Sequence, residues 1–294
     1  MLFFSQLING LQLGSIYALV ALGYSMVYGI IRLLNFAHGD IIMVGAYAAL
    51  LALTSGFSPA AAVLIAIAGC VLLSVIIEKL AYSSLRTRNA PRISLLITAI
   101  GVSLLLQNAA QLRFSASMKP FPGTAIIPAG NLHLGPLNIS YVTVVTITVS
   151  LLSMALLNVL VHRTRLGKAM RAVSEDADAA ALMGINTNVI ISLTFAVGSA
   201  LAGIGSVLYC CRYPLVGPSM GSMLGLKAFI AAVLGGIGSI PGAMAGGFAI
   251  GLAEVLVTAV GLSTWSDGLV FAILILVLLI RPTGFMGPTL AEKV

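Results

Sequence analysis

Long runs without a charged residue constrain the fold of this chain more than any other feature of its sequence. Six stretches contain no Lys, Arg, Asp or Glu. They cover residues 1–31, 41–77, 93–112, 120–161, 179–211 and 228–253. Each is long enough for at least one helix of the ~20 apolar residues that cross a bilayer core. Their Leu, Ala, Ile and Val lack the alternating polarity of a membrane β-strand, so the runs predict an all-α, polytopic membrane protein.

The composition excludes a water-soluble domain. Of the 294 residues, 60% are hydrophobic and 8% are charged, whereas roughly a quarter of a soluble domain is charged. The net charge of +7 comes from Lys and Arg at predicted helix ends and in short loops. That placement predicts orientation in a membrane and no binding of nucleic acid.

Apolar segments divide the single transmembrane domain, residues 1–294, into eight predicted helices and one shorter segment. The helices lie near 5–31, 40–56, 59–81, 93–112, 139–161, 188–211, 241–260 and 267–281, and the short segment is 223–235. Basic loops at 86–92 and 163–171 share one side with Arg32, and the positive-inside bias assigns that side to the cytoplasm. The loop 113–138 then lies outside. If the segment 223–235 counts as a crossing, the N-terminus lies outside and the C-terminus inside. The first helix lacks the basic region of a signal peptide, so we expect it to be retained.

Two interruptions break the apolar pattern. The first runs from Asn35 to Asp40 and includes His38, and the second begins at Gly235 and Gly236. Unwound backbone is tolerated at membrane depth only where protein or water satisfies its polar groups. Paired interruptions predict a translocation path built from structural repeats, on which all five residues are candidates. Ordinary turns between helices are the alternative interpretation.

Two ionisable residues lie within apolar segments and are further candidates for the path. They are Lys227 in the short segment and Glu254 in the helix near 241–260. Each costs at least ~2.5 kcal/mol at the bilayer centre. The alternative is that the two pair with each other or cap broken backbone. Glu78 and Lys79 lie at a helix end, where we expect both to reach the membrane surface.

No arrangement of residues predicts an enzyme. The three histidines are widely separated, and no Cys and His cluster has zinc spacing. The chain also lacks the glycine-rich phosphate-binding loop of ATPases. We therefore expect no cofactor in this chain, and any ATP would be bound by another subunit.

The loop 162–187 concentrates charge beside an apolar stripe. We predict one short amphipathic helix that carries Glu175, Asp176 and Asp178 and ends at Gly184. Its stripe consists of Val173, Ala177, Ala180 and Leu182. A solvated linker would not need that stripe, which favours a helix that docks in the groove of a partner.

Several segments resemble one family of permeases. Asp178-Ala179-Ala180, followed after three residues by Gly184, resembles the E-A-A-x-x-x-G coupling motif of bacterial ABC importer permeases, with Asp in place of Glu. Four further segments resemble the LivH-type permeases of the high-affinity branched-chain amino acid importers. They are residues 9–47, which contain Leu34-Asn35-Phe36-Ala37-His38-Gly39-Asp40, and residues 167–186, 229–239 and 279–285, which contain Arg281-Pro282-Thr283-Gly284-Phe285. The resemblance covers nearly the whole chain.

The resemblance implies one of two related permease subunits in the bacterial inner membrane. Two cytoplasmic ATPase subunits would dock on the loop 162–187, here named the coupling segment, and a periplasmic binding protein would deliver leucine, isoleucine or valine. The residues that carry over to this coupling role are Glu175, Asp176, Asp178, Ala179, Ala180 and Gly184.

Two other functions remain open at this point. A permease for urea or short-chain amides would share the same architecture. A stand-alone secondary carrier or channel would work without ATPase subunits. A proton-driven carrier usually has several membrane-embedded carboxylates, whereas only Glu254 is clearly embedded here.

Overall fold

The computed structural model describes most of the chain. It covers residues 2–31, 35–88, 90–134, 137–281 and 283–287. Three residues named above, Arg32, Leu34 and Pro282, lie outside this part of the chain.

The described chain is a helical bundle. In chain order its helices are α1 (Leu2–Ile31), α2 (His38–Thr54), α3 (Pro59–Ile77), α4 (Ser83–Thr87), α5 (Arg92–Phe114), α6 (Gly123–Ile126), α7 (Tyr141–Arg163), α8 (Arg165–Glu175), α9 (Ala177–Leu182), α10 (Thr187–Arg212), α11 (Met220–Gly235), α12 (Ile240–Ala259) and α13 (Ser266–Ile280). A π-helical turn, Glu78–Tyr82, joins α3 to α4, and a 3-10 turn, Ser263–Trp265, precedes α13. Seven helical spans are long and apolar enough to cross a membrane.

The predicted polytopic helical class is confirmed. The seven spans and the two shorter apolar helices α2 and α11 match the eight helices and one short segment predicted from the sequence. Helix α11 begins three residues earlier than predicted and has 16 residues. At 1.5 Å per residue it is about 24 Å long, still shorter than the ~30 Å hydrocarbon core.

Helix α1 occupies the centre of the bundle and packs against α7, α10, α11 and α12. Its contact with α12 depends on small residues, because a Cβ added to Gly14 would lie 2.8 Å from the Cα atom of Phe248. Small residues let membrane helices approach backbone to backbone. In contrast, α5 and α13 are mostly exposed and present their apolar side chains at the periphery, as expected for helices that face lipid.

In the described part of the chain, four short strands lie at the end of the bundle that the positive-inside bias assigns to the outside. Strand β1 (Lys119–Pro120) pairs antiparallel with β4 (Leu215–Val216), and β2 (Asn131–Leu134) pairs antiparallel with β3 (Leu137–Ser140). The sequence predicted no strands in the loop 113–138. These pairs satisfy backbone groups where the loop folds back on the bundle.

Candidate functional site

The first interruption lies inside the bundle. Asn35, His38 and Asp40 are each at most 2% exposed. The His38 ring contacts Gly23, since a Cβ added to Gly23 would lie 2.8 Å from the Cε1 atom of His38. Gly23 precedes the end of α1 by eight residues, or about 12 Å of helix. The start of α2 therefore lies inside the bundle, beside the interior of α1 and not beside its end.

The start of α2 is tied to its neighbours by its side chains. The hydroxyl group of Ser103 donates to Oδ2 of Asp40, and Nε2 of Gln107 donates to Oγ of Ser103 at 3.1 Å and to Oγ of Ser222 at 3.0 Å. These bonds join α2, α5 and α11. Ser103 and Gln107 were not predicted from the sequence, although their spacing of four residues places both on one face of the apolar α5.

Three buried polar atoms at this break lack a hydrogen-bond partner among the described residues. They are Nδ2 of Asn35, Nε2 of His38 and Oδ1 of Asp40. The amide oxygen of Asn35 does have a partner, because the hydroxyl group of Tyr82 donates to its Oδ1 at 2.8 Å. Buried polar groups normally have partners. The break therefore offers both donors and acceptors to a polar ligand or to water.

The two embedded charges Lys227 and Glu254 pair with each other, as one of the two interpretations of the sequence predicted. Nζ of Lys227 lies 2.7 Å from Oε1 of Glu254 and 2.7 Å from Oδ1 of Asp267. The hydroxyl group of Tyr17 donates to Oε2 of Glu254 at 2.8 Å. This network joins α1, α11, α12 and α13. Tyr17 and Asp267 were not predicted, since nothing in the sequence indicated which helices would meet Lys227.

The second interruption forms the turn between α11 and α12. Gly236 has φ +103°, a left-handed conformation that favours glycine. The last carbonyl groups of α11 have partners, because the Phe285 N–H donates to the oxygen of Leu234 at 3.0 Å and the Met286 N–H to that of Gly235 at 2.9 Å. The segment after α13 thus caps the end of α11.

The opposite side of this turn is also satisfied. The Gly238 N–H donates to Oγ of Ser25 at 2.9 Å. Oγ of Ser239 accepts from the Gly242 N–H at 3.2 Å and caps the start of α12. The geometry accounts for Gly235 and Gly236 by turn formation and close packing; their place on a path stays a prediction.

The coupling segment is two helices and not the single helix predicted. Asp176 separates α8 from α9 in an extended conformation, with φ −152° and ψ 109°. Its Oδ1 accepts from the backbone N–H groups of Asp178 and Ala179, each at 3.0 Å. An Asp in this position caps a new helix, which is why the helical run breaks there. Gly184, with φ +84°, follows the end of α9 as predicted.

The predicted apolar stripe is only half correct. Val173 and Ala180 are buried against the bundle, whereas Ala177 and Leu182 are exposed. Leu182 follows Val173 by nine residues, which would place it on the opposite face even of a continuous helix. The extended backbone at Asp176 in addition separates Ala177 from α8. Glu175, Asp178 and Ala179 are exposed as well, and they can contact a partner.

The Glu78 side chain is buried within the protein, whereas we expected it to extend to the surface. Its side chain is 1% exposed and lies 3.2 Å from the guanidinium group of Arg86. The hydroxyl group of Ser192 donates to its other oxygen at 2.7 Å, and Arg86 also donates to Oδ1 of Asn188 at 2.8 Å. The π-helical turn directs Glu78 towards α10. Lys79 is exposed, as expected.

The chain is similar along its whole length to known permeases. The family described as "Branched-chain amino acid transport system / permease component" matches residues 6–278. The high-affinity branched-chain amino acid transport system permease protein BraD of Pseudomonas aeruginosa is 43% identical, over 99% of this chain and 98% of that protein. The protein LivH of Escherichia coli K12, of the same description, is 42% identical with the same coverage.

A solved structure supports the fold. The structure described as PsaBC from Streptococcus pneumoniae in complex with Fab covers 95% of this chain and 91% of its own, with a TM-score of 0.51 and 16% identity. That similarity concerns the fold alone. Because the family match and the full-length relatives agree, this multi-pass membrane chain belongs to the family of branched-chain amino acid transport system permease components.

Proposed function

We propose that this chain is a transmembrane permease subunit of an ATP-driven importer of leucine, isoleucine and valine. The observation that carries the proposal is the identity of 43% with a branched-chain amino acid permease over 99% of the chain. The chain itself would catalyse no reaction. ATP would be bound and hydrolysed by separate ATPase subunits.

The coupling segment supports a docking role. Leu182 and Met183 are 89% and 83% exposed at the end of α9, beside the exposed carboxylates of Glu175 and Asp178. An apolar tip flanked by charge suits a groove on a partner protein. The segment leads directly into α10, which packs against α1, α2 and α3. If an ATPase subunit moved the coupling segment, α10 would transmit that movement to the helices at the centre of the bundle.

The start of α2 supports a place on the translocation path. The positive end of the α2 dipole lies at membrane depth, where it favours the carboxylate group of an amino acid. The unpartnered oxygen of Asp40 is an acceptor for an ammonium group, and Asn35 offers a donor. Lys227 and Glu254 would instead hold α11, α12 and α13 together during transport.

The assembly would contain a second, related permease subunit, two ATPase subunits and a periplasmic binding protein. The N-terminus would face the periplasm and the C-terminus the cytoplasm of a bacterial inner membrane. In this orientation α8 and α9, with their neighbouring Arg and Lys residues, lie in the cytoplasm, in agreement with the positive-inside bias.

Uptake of labelled leucine into proteoliposomes that contain the whole importer tests the proposal. We expect uptake that needs internal ATP and the binding protein, and that is lost when Glu175 and Asp178 are both changed to Ala. Uptake driven by an ion gradient without ATP would contradict it. Competition by urea, but not by valine, would contradict the assignment of the substrate.

A further inference from the structure

A polar cavity of about 270 Å³ lies where α1 and α7 begin and α10 ends. In the proposed orientation this is the periplasmic end of the bundle. The cavity is smaller than the 300–1,000 Å³ of a site for a drug-sized ligand. Its polar lining includes Asn9, Gln12, Asn138, Thr143 and Arg212, and none of the described residues that line it is acidic.

Gln12 contributes a buried amide group to the lining of the cavity. Its side chain is 1% exposed, and its Oε1 accepts a hydrogen bond from the hydroxyl group of Thr143 at 3.0 Å. With the amide in this orientation, its Nε2 atom is the group left to donate. Nε2 is buried and has no partner among the described residues. Buried donors without an acceptor are rare in folded proteins.

Arg212 adds a positive charge to the lining of the cavity. Its Nε is buried and also lacks a partner in the described part of the chain. The guanidinium carbon lies 5.5 Å from the centre of the Tyr213 ring, a contact that orients the group without using its donors. Two unpaired donors, one of them cationic, match the two oxygens of a carboxylate.

Part of the cavity wall is apolar, between polar residues that also include Ser5, Asn131 and Ser140. Ile8, Ile139 and Val142 line it beside the polar groups. A phosphate or sulfate ion would leave this surface unused, whereas a molecule with a carboxylate at one end and an aliphatic group at the other would cover both. The amide of Asn138 lies at the rim, where its side chain is exposed.

We propose that this cavity is an external binding site for the transported amino acid, with its carboxylate group on Gln12 and Arg212 and its aliphatic side chain on Ile8, Ile139 and Val142. The assignment rests on the proposed function, which supplies the amino acid. The site lies towards the periplasm from the start of α2, so it would receive the substrate before the membrane-embedded break.

Photolabelling of the whole importer in nanodiscs tests the site. The probe is a leucine that carries a diazirine in its side chain, applied without the binding protein, and labelled peptides are identified by mass spectrometry. We expect labelling at or beside Ile8, Ile139 or Val142. Excess leucine should prevent it, and leucinamide, which lacks the carboxylate group, should not.

Two variants and one control refine the test. Gln12→Met and Arg212→Gln should each weaken competition by leucine roughly tenfold to hundredfold, the usual effect of losing a hydrogen bond to a charged group. Arg113→Gln removes an equal charge from an exposed residue at the same end of the bundle and outside the cavity, and it should change nothing. Assembly of each variant is checked by the amount of ATPase subunit that co-purifies.

The outcomes separate this site from the proposed function. ATP-driven leucine uptake without labelling of the cavity would overturn the site and leave the function intact. Loss of labelling on addition of glycerol phosphate, together with phospholipid that co-purifies with the wild type and not with Arg212→Gln, would identify a lipid headgroup and overturn the amino acid. Absence of any leucine uptake would remove the proposed function itself.

Discussion

The two interruptions of the apolar pattern look alike in sequence and differ in structure. At the turn between α11 and α12, the Ser25 side chain and the segment after α13 satisfy the broken backbone. At the start of α2, polar atoms of Asn35, His38 and Asp40 remain unpartnered though buried. The comparison indicates that an interruption whose buried polar groups lack partners is a candidate for a functional role. An interruption whose polar groups are all hydrogen-bonded has a structural role.

The largest expected effect is a loss of thermal stability when the ion pair between α11 and α12 is broken. Lys227→Met leaves the Glu254 carboxylate, 13% exposed, without its cation, and removing one partner of a buried ion pair typically costs about 3–5 kcal/mol. We expect the importer to unfold at a much lower temperature in detergent. The double variant Lys227→Met with Glu254→Gln should recover part of the loss. Unchanged thermal stability of the single variant would show that the network does not hold α11 and α12 together.

A smaller loss is expected at the turn itself. A Cβ on Gly235 would collide with the backbone of Gly242, and overpacking of this kind costs about 1–3 kcal/mol. Gly235→Ala should therefore lower the midpoint of thermal unfolding. Gly101→Ala is the matched control, because Gly101 lies within α5 with nothing near its Cβ position, and Ala is favoured over Gly in a helix by about 0.5–1 kcal/mol. Equal behaviour of the two variants would contradict the packing role.

The smallest effect on stability is expected at the start of α2. In Asp40→Asn the amide oxygen can still accept the hydrogen bond from Ser103. The substitution removes the negative charge and replaces the unpartnered carboxylate oxygen by an NH2 group. We expect the free energy of unfolding to change by less than about 1 kcal/mol, the net value of one hydrogen bond. Thermal unfolding of the Asp40→Asn and Lys227→Met importers, measured under the same conditions, gives the difference in their midpoints. If Asp40→Asn lost as much thermal stability as Lys227→Met, Asp40 would have a structural role. The two interruptions would then not differ in the way proposed.

Much of the fold could be predicted from the sequence because the bilayer limits the choices. Charge-free runs gave the helices, and Gly184 correctly marked the end of α9. The split at Asp176 was missed because Asp is compatible with both a helix and a cap, and only the backbone decides between them. Short strands in the loop 113–138 depend on contacts with the distant residues Leu215 and Val216, which no local pattern contains.

The candidate site was predicted in outline only. Asn35, His38 and Asp40 are recognisable because polar residues between two apolar helices are conspicuous. Their partners Ser103 and Gln107 come from α5, and Tyr17 and Asp267 complete the network of Lys227 from other helices. Such pairings depend on which helices are neighbours, a property of packing that the periodicity of one helix does not reveal.

The most direct test of the account is the initial rate of ATP-dependent leucine uptake by the Asp40→Asn importer, measured per assembled complex. The account predicts normal assembly and normal thermal stability with uptake reduced roughly tenfold or more, as expected for loss of one charged contact with the substrate. Gly101→Ala should transport at the wild-type rate in the same assay. Wild-type uptake by Asp40→Asn would contradict the claim that the start of α2 lies on the translocation path.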